Sequence, residues 1–350
     1  MEILSSSDQD LERAAKALAA GALVAFPTET VYGLGGDAFN LSALAKIYEA
    51  KNRPRFDPLI IHIAEKEALS RLVDVAALSS KAGKRLSILS ERLWPGPLTL
   101  ILPKLKELPA LATAGLYTAA VRFPSHPVAR KLIKLSTGAV AAPSANPFGY
   151  LSPSRAEHVI AQLGEKVDFI IDGGRTTVGI ESTVLDLSGE NPRILRPGGT
   201  SREAIEALIG PVEFYTEPPP AADDKNVTPI SPGQLKSHYA PRTRLILHKQ
   251  GELASLPEVS GEGRLYFSSP RPMVSQSENF PSQGKTSDSS NTIKVLSETG
   301  DLAEAAANLF DMLHDLDKLG LDLIRAEEAP GFGLGAAIND RLRRARQKYG

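Results

Sequence analysis

The chain contains no cysteine among its 350 residues. Disulfide bonds, thiolate catalysis and cysteine-ligated zinc are therefore excluded. A surplus of positive charge is also missing, because 40 lysine and arginine residues face 41 aspartate and glutamate residues. This balance argues against a protein that coats nucleic acid with its whole surface.

No apolar run approaches the ~20 residues that a membrane-spanning helix needs. The first ten residues, MEILSSSDQD, have neither a basic flank nor an apolar core, so they do not form a signal peptide. We therefore expect a cytoplasmic protein with no membrane partner. A length of 350 residues allows two domains of ordinary size.

Residues 1–211 alternate helical and strand patterns and predict an α/β domain. Helical spacing covers 8–20, 41–51 and 202–210, and the strand-like segments include ALVAF, PLIIHI, LTLILP, TAAVRF, GAVAA, DFIID and STVLDL. Several of these strands follow one another without a helix between them. The predicted sheet is therefore mixed rather than purely parallel, with helices on its flanks.

The composition changes near Thr216, where TEPPPAADDKNVTPISPG contains five prolines and no periodic pattern. We interpret 212–242 as a linker. Residues 243–350 predict a smaller α/β domain, with strands near 263–267 and 292–296 and helices over 301–319 and at the end of the chain. Serine and proline dominate 268–291, which predicts a flexible surface insert.

The segment FPTETVYGLGGDAF (26–39) follows a predicted strand. A glycine-rich turn in that position can bind phosphate, but the dinucleotide fingerprint needs a third glycine where this chain has Ala38. On glycine spacing alone, a tight turn with positive φ is the better explanation of the three glycines. The polar residues Thr28, Glu29 and Thr30 lie just past a strand end, where ligand sites of α/β proteins are found.

Further polar motifs follow along the chain. They are KNRPR (51–55), the histidine of PLIIH (58–62), the arginine of TAAVR (118–122), PSAN (143–146), EST (181–183) and LRPG (195–198). Each motif alone has an ordinary explanation, because charge clusters are usually solvated faces and Ser-Ala-Asn is usually a turn.

In this order, the motifs resemble the YrdC-like threonylcarbamoyl-AMP synthase family over residues 8 to about 210. SPGQLKSHYAP (231–241) and GFGLGAAINDRLRRA (331–345) resemble the two-domain form of that family. The resemblance implies a YrdC-like mixed sheet and a Rossmann-like C-terminal domain. It also implies a nucleotidyltransferase that converts L-threonine, bicarbonate (or CO₂) and ATP to L-threonylcarbamoyladenylate, pyrophosphate and water.

The implied product is used in the threonylcarbamoyladenosine modification of ANN-decoding tRNAs. The implied partner is a downstream threonylcarbamoyl transferase complex, and any contact with tRNA would be indirect. Magnesium is expected on the phosphates of ATP without metal ligands from the protein, since no dense carboxylate cage is visible in the sequence. No organic cofactor is expected.

The resemblance also assigns site residues position by position. The implied L-threonine contacts are Thr30, His62, Arg122, Ala142 (through its backbone) and Ser182. The implied ATP contacts are Arg53, Asp57, Thr118, Ser144, Asn146, Ser152, Arg196, His238 and Tyr239. Lys51 and Arg53 are assigned the catalytic role.

These residue types suit the implied chemistry. Phosphoryl-type transfer needs positioning and cations, which Lys51, Arg53 and Arg196 supply. Arg122 can bind the threonine carboxylate with two parallel hydrogen bonds. The segment 26–39 is therefore predicted to form the amino-acid side of the site rather than an ATP phosphate loop.

The end of the linker combines proline with a histidine, a tyrosine and a lysine. A passive spacer is the ordinary interpretation of such a segment. We instead predict a lid over the nucleotide, anchored by the second domain, that shields the mixed anhydride product from water.

Two other functions are compatible with parts of this sequence. YrdC-like modules also occur in carbamoyltransferases that make carbamoyl-adenylate, although those chains carry additional zinc-finger or acylphosphatase regions. A non-catalytic RNA-binding module would use the tail RLRRARQK (341–348), with five cations in eight residues. A terminal amphipathic helix explains that tail at least as well.

Overall fold

The computed structural model of the chain describes residues 1–215, 231, 238–269 and 292–349. Most of the predicted linker, 216–230 and 232–237, lies outside the described residues. The same holds for 270–291, which make up most of the predicted surface insert.

The first domain is built on a mixed sheet, as the sequence predicts. Its strands are β1 (Glu2–Leu4), β2 (Val24–Phe26), β3 (Gly33–Asp37), β4 (Ile60–Ile63), β5 (Leu98–Pro103), β6 (Thr118–Arg122), β7 (Ala139–Ala141), β8 (Phe169–Ile171), β9 (Thr183–Asp186), β10 (Arg193–Arg196) and β11 (Glu213–Phe214). The strand order is β1-β8-β2-β3-β7-β4-β6-β5-β9-β10-β11. Parallel pairs such as β4–β6 occur beside antiparallel pairs such as β5–β6.

Six α-helices of the described chain flank this sheet. They are α1 (Asp8–Ala19), α2 (Leu41–Lys51), α3 (Ser80–Arg92), α4 (Pro127–Leu135), α5 (Ala156–Leu163) and α6 (Arg202–Ile209). Polar caps fix where several of these helices begin. Ser7 accepts a hydrogen bond from the backbone N–H of Asp10, and Asn40 accepts from the backbone N–H groups of Ser42 and Ala43.

The second domain is a smaller α/β unit. Its strands β12 (Arg244–His248), β13 (Glu262–Ser268), β14 (Ile293–Ser297) and β15 (Leu323–Glu327) form a sheet in the order β12-β15-β13-β14. All three strand pairs are parallel. Helices α7 (Leu302–Lys318) and α8 (Leu334–Arg346) complete the unit, which confirms the predicted second α/β domain.

The three glycines of GLGG form a strand, so the interpretation as a turn was wrong. Gly33, Gly35 and Gly36 lie in β3, and none of them has a positive φ. Glycine is needed there for close packing. A Cβ atom on Gly35 would lie 2.7 Å from the Phe26 ring and 3.0 Å from Val140 Cγ1.

The two domains share a hydrophobic cluster. Val31, Leu151 and Ile180 of the first domain pack into the same cluster as Tyr239 and Phe310. An ion pair between Arg155 and Asp311 flanks this contact at 2.6 Å. Helix α7 therefore packs directly against the loops that lead into the first domain's site. In the described part of the chain, no helix is long and apolar enough to cross a membrane.

The packing of Gly35 predicts the effect of a single methyl group. Gly35→Ala should destabilise the fold by roughly 1–3 kcal/mol, because the methyl group overpacks the contact with Phe26. Gly83→Ala is the matched control, since Gly83 lies inside α3 and a Cβ atom there meets nothing within 4 Å. That control should stabilise the protein by about 0.5–1 kcal/mol. Urea unfolding measures both effects, and equal effects would contradict the packing argument.

Candidate active site

Strand register brings polar side chains together at one end of the central strands of the first domain's sheet. His62 on β4 is directly paired with Arg122 on β6, and Arg122 is paired with Thr99 on β5. The Thr99 hydroxyl lies 2.7 Å from the hydroxyl of Ser182, which precedes β9. Four segments that are distant in sequence thus converge on one site.

A cavity of about 50 Å³ lies at this end of the strands. Its wall contains all five predicted threonine contacts and five of the predicted ATP contacts, together with six other residues. The lining consists of Thr28, Thr30, Val31, Gly33, Arg53, Ile60, His62, Arg122, Ala142, Pro143, Ser144, Glu181, Ser182, Arg196, His238 and Tyr239.

Arg122 is held from three directions and is only 3% exposed. Its Nη1 donates to the Thr30 hydroxyl at 2.8 Å, and its Nε donates to the Gly96 carbonyl at 3.3 Å. Its Nη2 lies 2.6 Å from a carboxylate oxygen of Glu29. The guanidinium is therefore fixed in the wall before any ligand arrives.

His62 is neutral in this site. Burial, and then the positive charge of Arg122, lower the pKa of His62 to about 3. Its Nδ1 lies 3.3 Å from the Ile60 carbonyl, and a carbonyl requires a donor. We therefore assign the proton to Nδ1, which leaves Nε2 as a hydrogen-bond acceptor. His62 can accept a hydrogen bond from an amine or hydroxyl but is a poor base at neutral pH.

Two arginines line the other end of the cavity. Arg196 donates from Nε and Nη2 to the Ser182 carbonyl, at 3.2 and 2.9 Å, and from Nη2 to the Ser182 hydroxyl at 3.2 Å. Arg53 pairs with Asp57 at 2.9 Å and donates to the Pro58 carbonyl at 2.8 Å. Together with Ser144, which also lines the cavity, these fixed cations suit phosphate oxygens.

Lys51, which was predicted to be catalytic, does not face the cavity. Its amine donates to the backbone carbonyls of Ser144 and Asn146 and is almost fully buried. Burial, and then the charge of Arg53, lower the pKa of Lys51 well below its usual value. Lys51 therefore holds the loop that presents Ser144 to the cavity.

Four other predicted ATP contacts lie outside the cavity wall. Asp57 supports Arg53, and Ser152 donates a hydrogen bond to Glu181. Asn146 donates to the carbonyls of Pro147 and Tyr150, at 2.9 and 3.0 Å. Thr118 is half-buried at the opposite end of β6 from Arg122. These four residues remain predicted contacts, and three of them support residues of the wall or its neighbouring loop.

Linker residues close one side of the cavity. His238 packs edge-on against Phe148, with ring centroids 5.5 Å apart, and the Arg53 guanidinium lies 5.8 Å from the same ring. The backbone N–H of Ala240 donates to the Gly149 carbonyl at 2.9 Å. The HYAP part of the linker is therefore docked on the loop that follows PSAN.

The second domain inserts one arginine behind the cavity. Arg341 of α8 is 1% exposed and pairs with Glu181 at 2.7 Å. It also donates to the Pro197 carbonyl at 2.9 Å and lies 4.9 Å from the Tyr239 ring centroid. Burial alone would raise the pKa of Glu181, but the charges of Arg341 and Arg196 hold this pKa below its usual value.

Comparison with known proteins identifies the family. Residues 16–198 match the family model described as Telomere recombination, which covers the Sua5, YciO and YrdC proteins. Residues 200–346 match the model described as Threonylcarbamoyl-AMP synthase, C-terminal domain. The chain belongs to the two-domain threonylcarbamoyl-AMP synthase family.

Individual relatives agree over nearly the whole length. The threonylcarbamoyl-AMP synthase of Bacillus subtilis is 41% identical over 98% of this chain and 94% of its own. That of Pyrococcus abyssi is 42% identical over 93% of this chain and 90% of its own. The crystal structure of P. abyssi Sua5 complexed with L-threonine superposes with a TM-score of 0.82 at 37% identity, covering 99% and 98% of the two chains.

Three residues of the site in this member of the synthase family were not predicted from the sequence. Glu29 and Glu181 are visible in the PTET and EST motifs, but nothing in either motif reveals which arginine each one faces. Arg341 lies in a motif of the C-terminal domain whose basic tail was interpreted as an amphipathic helix. Its partner is 160 residues away, so neither helical spacing nor a local motif could indicate the contact.

The Glu181–Arg341 pair predicts a large loss of stability when one partner is removed. Arg341→Ala should cost roughly 3–5 kcal/mol, because Glu181 remains buried without its counter-ion. Arg343→Ala removes a neighbouring pair with Glu328 in which Arg343 is 58% exposed, and it should cost under about 1 kcal/mol. Urea unfolding of both variants measures the difference. Similar losses for the two would contradict a special role for the buried pair.

Proposed function

We propose that this protein catalyses the formation of L-threonylcarbamoyladenylate from L-threonine, bicarbonate and ATP, with release of pyrophosphate and water. One observation carries the proposal. A single cavity is lined both by Arg122, His62 and Thr30 and by Arg53, Ser144 and Arg196. Family membership and the likeness to a relative crystallised with L-threonine support it.

The first end of the cavity has the groups that an amino acid needs. Arg122 would bind the α-carboxylate through a charge-assisted hydrogen bond. The neutral His62 and the Ser182 hydroxyl would bind the amine and the side-chain hydroxyl of threonine. The small residues Gly33 and Ala142 leave room beside these groups, and Ala142 would contribute through its backbone.

The reaction would proceed in two steps. The threonine nitrogen bonds to the carbon of bicarbonate or CO₂ and loses protons, which gives a carbamate; from bicarbonate, one water also leaves. A carbamate oxygen then bonds to the α-phosphorus of ATP, and the bond from that phosphorus to the bridging oxygen breaks, which releases pyrophosphate. Arg53 and Arg196 would stabilise the phosphate charge.

Magnesium would accompany ATP in this proposal. Among the residues that the structure describes, no group of three or more histidine or carboxylate side chains could hold a metal ion. The phosphate oxygens and water would therefore be the main ligands, as is common for Mg²⁺. The proposal also includes a cytoplasmic location and a downstream transferase complex that consumes the adenylate to modify tRNA.

The alternative of an RNA-binding module is weakened by the contacts of the basic tail. Arg341 is buried, Arg343 pairs with Glu328, and Arg344 pairs with Asp340. Lys348 donates to the Pro241 carbonyl at 3.2 Å. Since these cations already neutralise or bond groups of the same chain, the tail supports the fold and the linker rather than an open nucleic-acid surface.

The proposed reaction predicts which reactants pyrophosphate release requires. Release from ATP should need L-threonine, bicarbonate and a divalent metal, and omission of any one should stop it. The Arg122→Ala variant tests the threonine contact. Losing a charge-assisted contact of roughly 1.5–3 kcal/mol should weaken threonine binding by about one to two orders of magnitude. Equal release with carbamoyl phosphate in place of threonine and bicarbonate would favour the carbamoyltransferase instead.

We also propose that the linker acts as a lid. The cavity of about 50 Å³ has room for a few water molecules, whereas pockets for ligands of ATP's size are several hundred Å³. Since His238 and Tyr239 form part of its wall, ATP would need this side to open. Closure over the bound nucleotide would then keep water from the adenylate.

The lid predicts that ligands change protease access to the linker. Trypsin can cut after Lys236, and cleavage there should become slower when ATP and L-threonine are both bound. Cleavage after Lys285, in the predicted insert, serves as the internal control and should not change. Mass spectrometry of the fragments measures both rates. Equal cleavage after Lys236 with and without ligands would mean that the linker is only a tether.

A further inference from the structure

The threonine end of the cavity has a carboxylate of its own. Glu29 lies between Thr28 and Thr30, both of which line the cavity, and it is 5% exposed. Its carboxylate is not part of the cavity wall but lies against the guanidinium of Arg122. The resemblance and the reaction chemistry assign no role to this residue.

The contact between Glu29 and Arg122 is short and joins two buried charges. Oxygen Oε1 of Glu29 lies 2.6 Å from Nη2 of Arg122. Glu29 therefore compensates the charge of Arg122 at close range.

Glu29 is ionised in this position. Burial alone would raise its pKa, but the charge of Arg122 and the close contact of its guanidinium hold the pKa of Glu29 below its usual value. His62, on the other side of Arg122, is neutral. The fixed charges around the threonine end are thus one cation and one anion.

This balance favours one kind of ligand. An uncompensated charge is costly to bury, because the interior screens charges poorly. A simple carboxylate would bring one negative charge to a pair that is already neutral. An amino acid brings a carboxylate and an ammonium group together and leaves the total unchanged. The Glu29–Arg122 pair therefore distinguishes a zwitterion from an anion of the same shape.

We propose that Glu29 is a positioning residue that orients Arg122 and makes the subsite selective for zwitterionic amino acids. The inference rests on the proposed function, since it takes L-threonine as the ligand of this subsite. Glu29 acts through Arg122 and through its own charge, without bonding to the reacting atoms.

The test compares two ligands in the full-length protein by calorimetric titration. L-threonine is compared with 3-hydroxybutyrate, which keeps the carboxylate and hydroxyl of threonine but lacks the ammonium group. Wild-type protein should prefer threonine. In Glu29→Gln, where the shape is kept and the charge is lost, this preference should shrink by at least about tenfold, because the anion now meets an uncompensated Arg122.

Two further variants separate charge from shape. Glu29→Asp keeps the charge but shortens the side chain, so affinity for both ligands should fall several-fold while the preference stays. Glu107→Gln, at an exposed loop position, should change neither quantity. Circular dichroism establishes that each variant is folded, and Glu29→Asp still tests the positioning role if Glu29→Gln does not fold.

The possible results are distinct. An unchanged preference in folded Glu29→Gln, or an equal loss for both ligands, overturns the selective role of the charge. Unchanged threonine affinity in Glu29→Asp overturns the positioning role. Wild-type protein that binds neither ligand contradicts the proposed function itself, whereas the other results leave that function standing.

Discussion

The buried ion pair between Glu181 and Arg341 is the contact on which the rest of the site depends. Glu181 also accepts a hydrogen bond from Ser152, and Arg341 also donates to the Pro197 carbonyl. Tyr239 of the linker lies beneath the same guanidinium. The charges of Arg341 and Arg196 together hold the pKa of this buried carboxylate below its usual value. The second domain therefore supplies the arginine that pairs directly with a carboxylate of the first domain's cavity wall.

The same constraint explains how the remaining cations are arranged. Arg53 has Asp57 as its partner and Arg122 has Glu29, while Arg196 lies near Glu181 and bonds the Ser182 carbonyl. Each arginine is thus compensated before a ligand binds. The triphosphate of ATP would bring several negative charges to a site with little net positive charge. In the proposed reaction, magnesium on the phosphates would also balance this charge.

The sequence was sufficient to predict the fold class and much of the cavity wall. His62, Arg122 and Ser182 stand at strand ends within recognisable motifs, and the strand register brings them together. The sequence did not predict whether each of these side chains points into the cavity or away from it. Lys51 stands in the expected motif, but its amine turns to two backbone carbonyls, because the neighbouring loop needs donors there.

Contacts across long sequence separations were also beyond prediction. The three glycines of β3 fit a turn by composition, and only the position of Phe26 on the adjacent strand shows that Gly35 is needed for packing. The same holds for Arg341, whose pairing with Glu181 depends on how α8 docks against the first domain. Local sequence patterns indicate helix and strand propensity and periodicity. These contacts are instead set by the tertiary arrangement of distant segments.

Ser182 shows how the two ends of the cavity can serve one reaction. Its hydroxyl lies 2.7 Å from Thr99, the neighbour of Arg122 on the adjacent strand, and 3.2 Å from Nη2 of Arg196. One side chain therefore contacts both the strand residue paired with the predicted carboxylate-binding arginine and the arginine predicted to bind phosphate. A carbamate formed beside Ser182 would already be next to the α-phosphate, so the intermediate would not need to leave the cavity between the two steps.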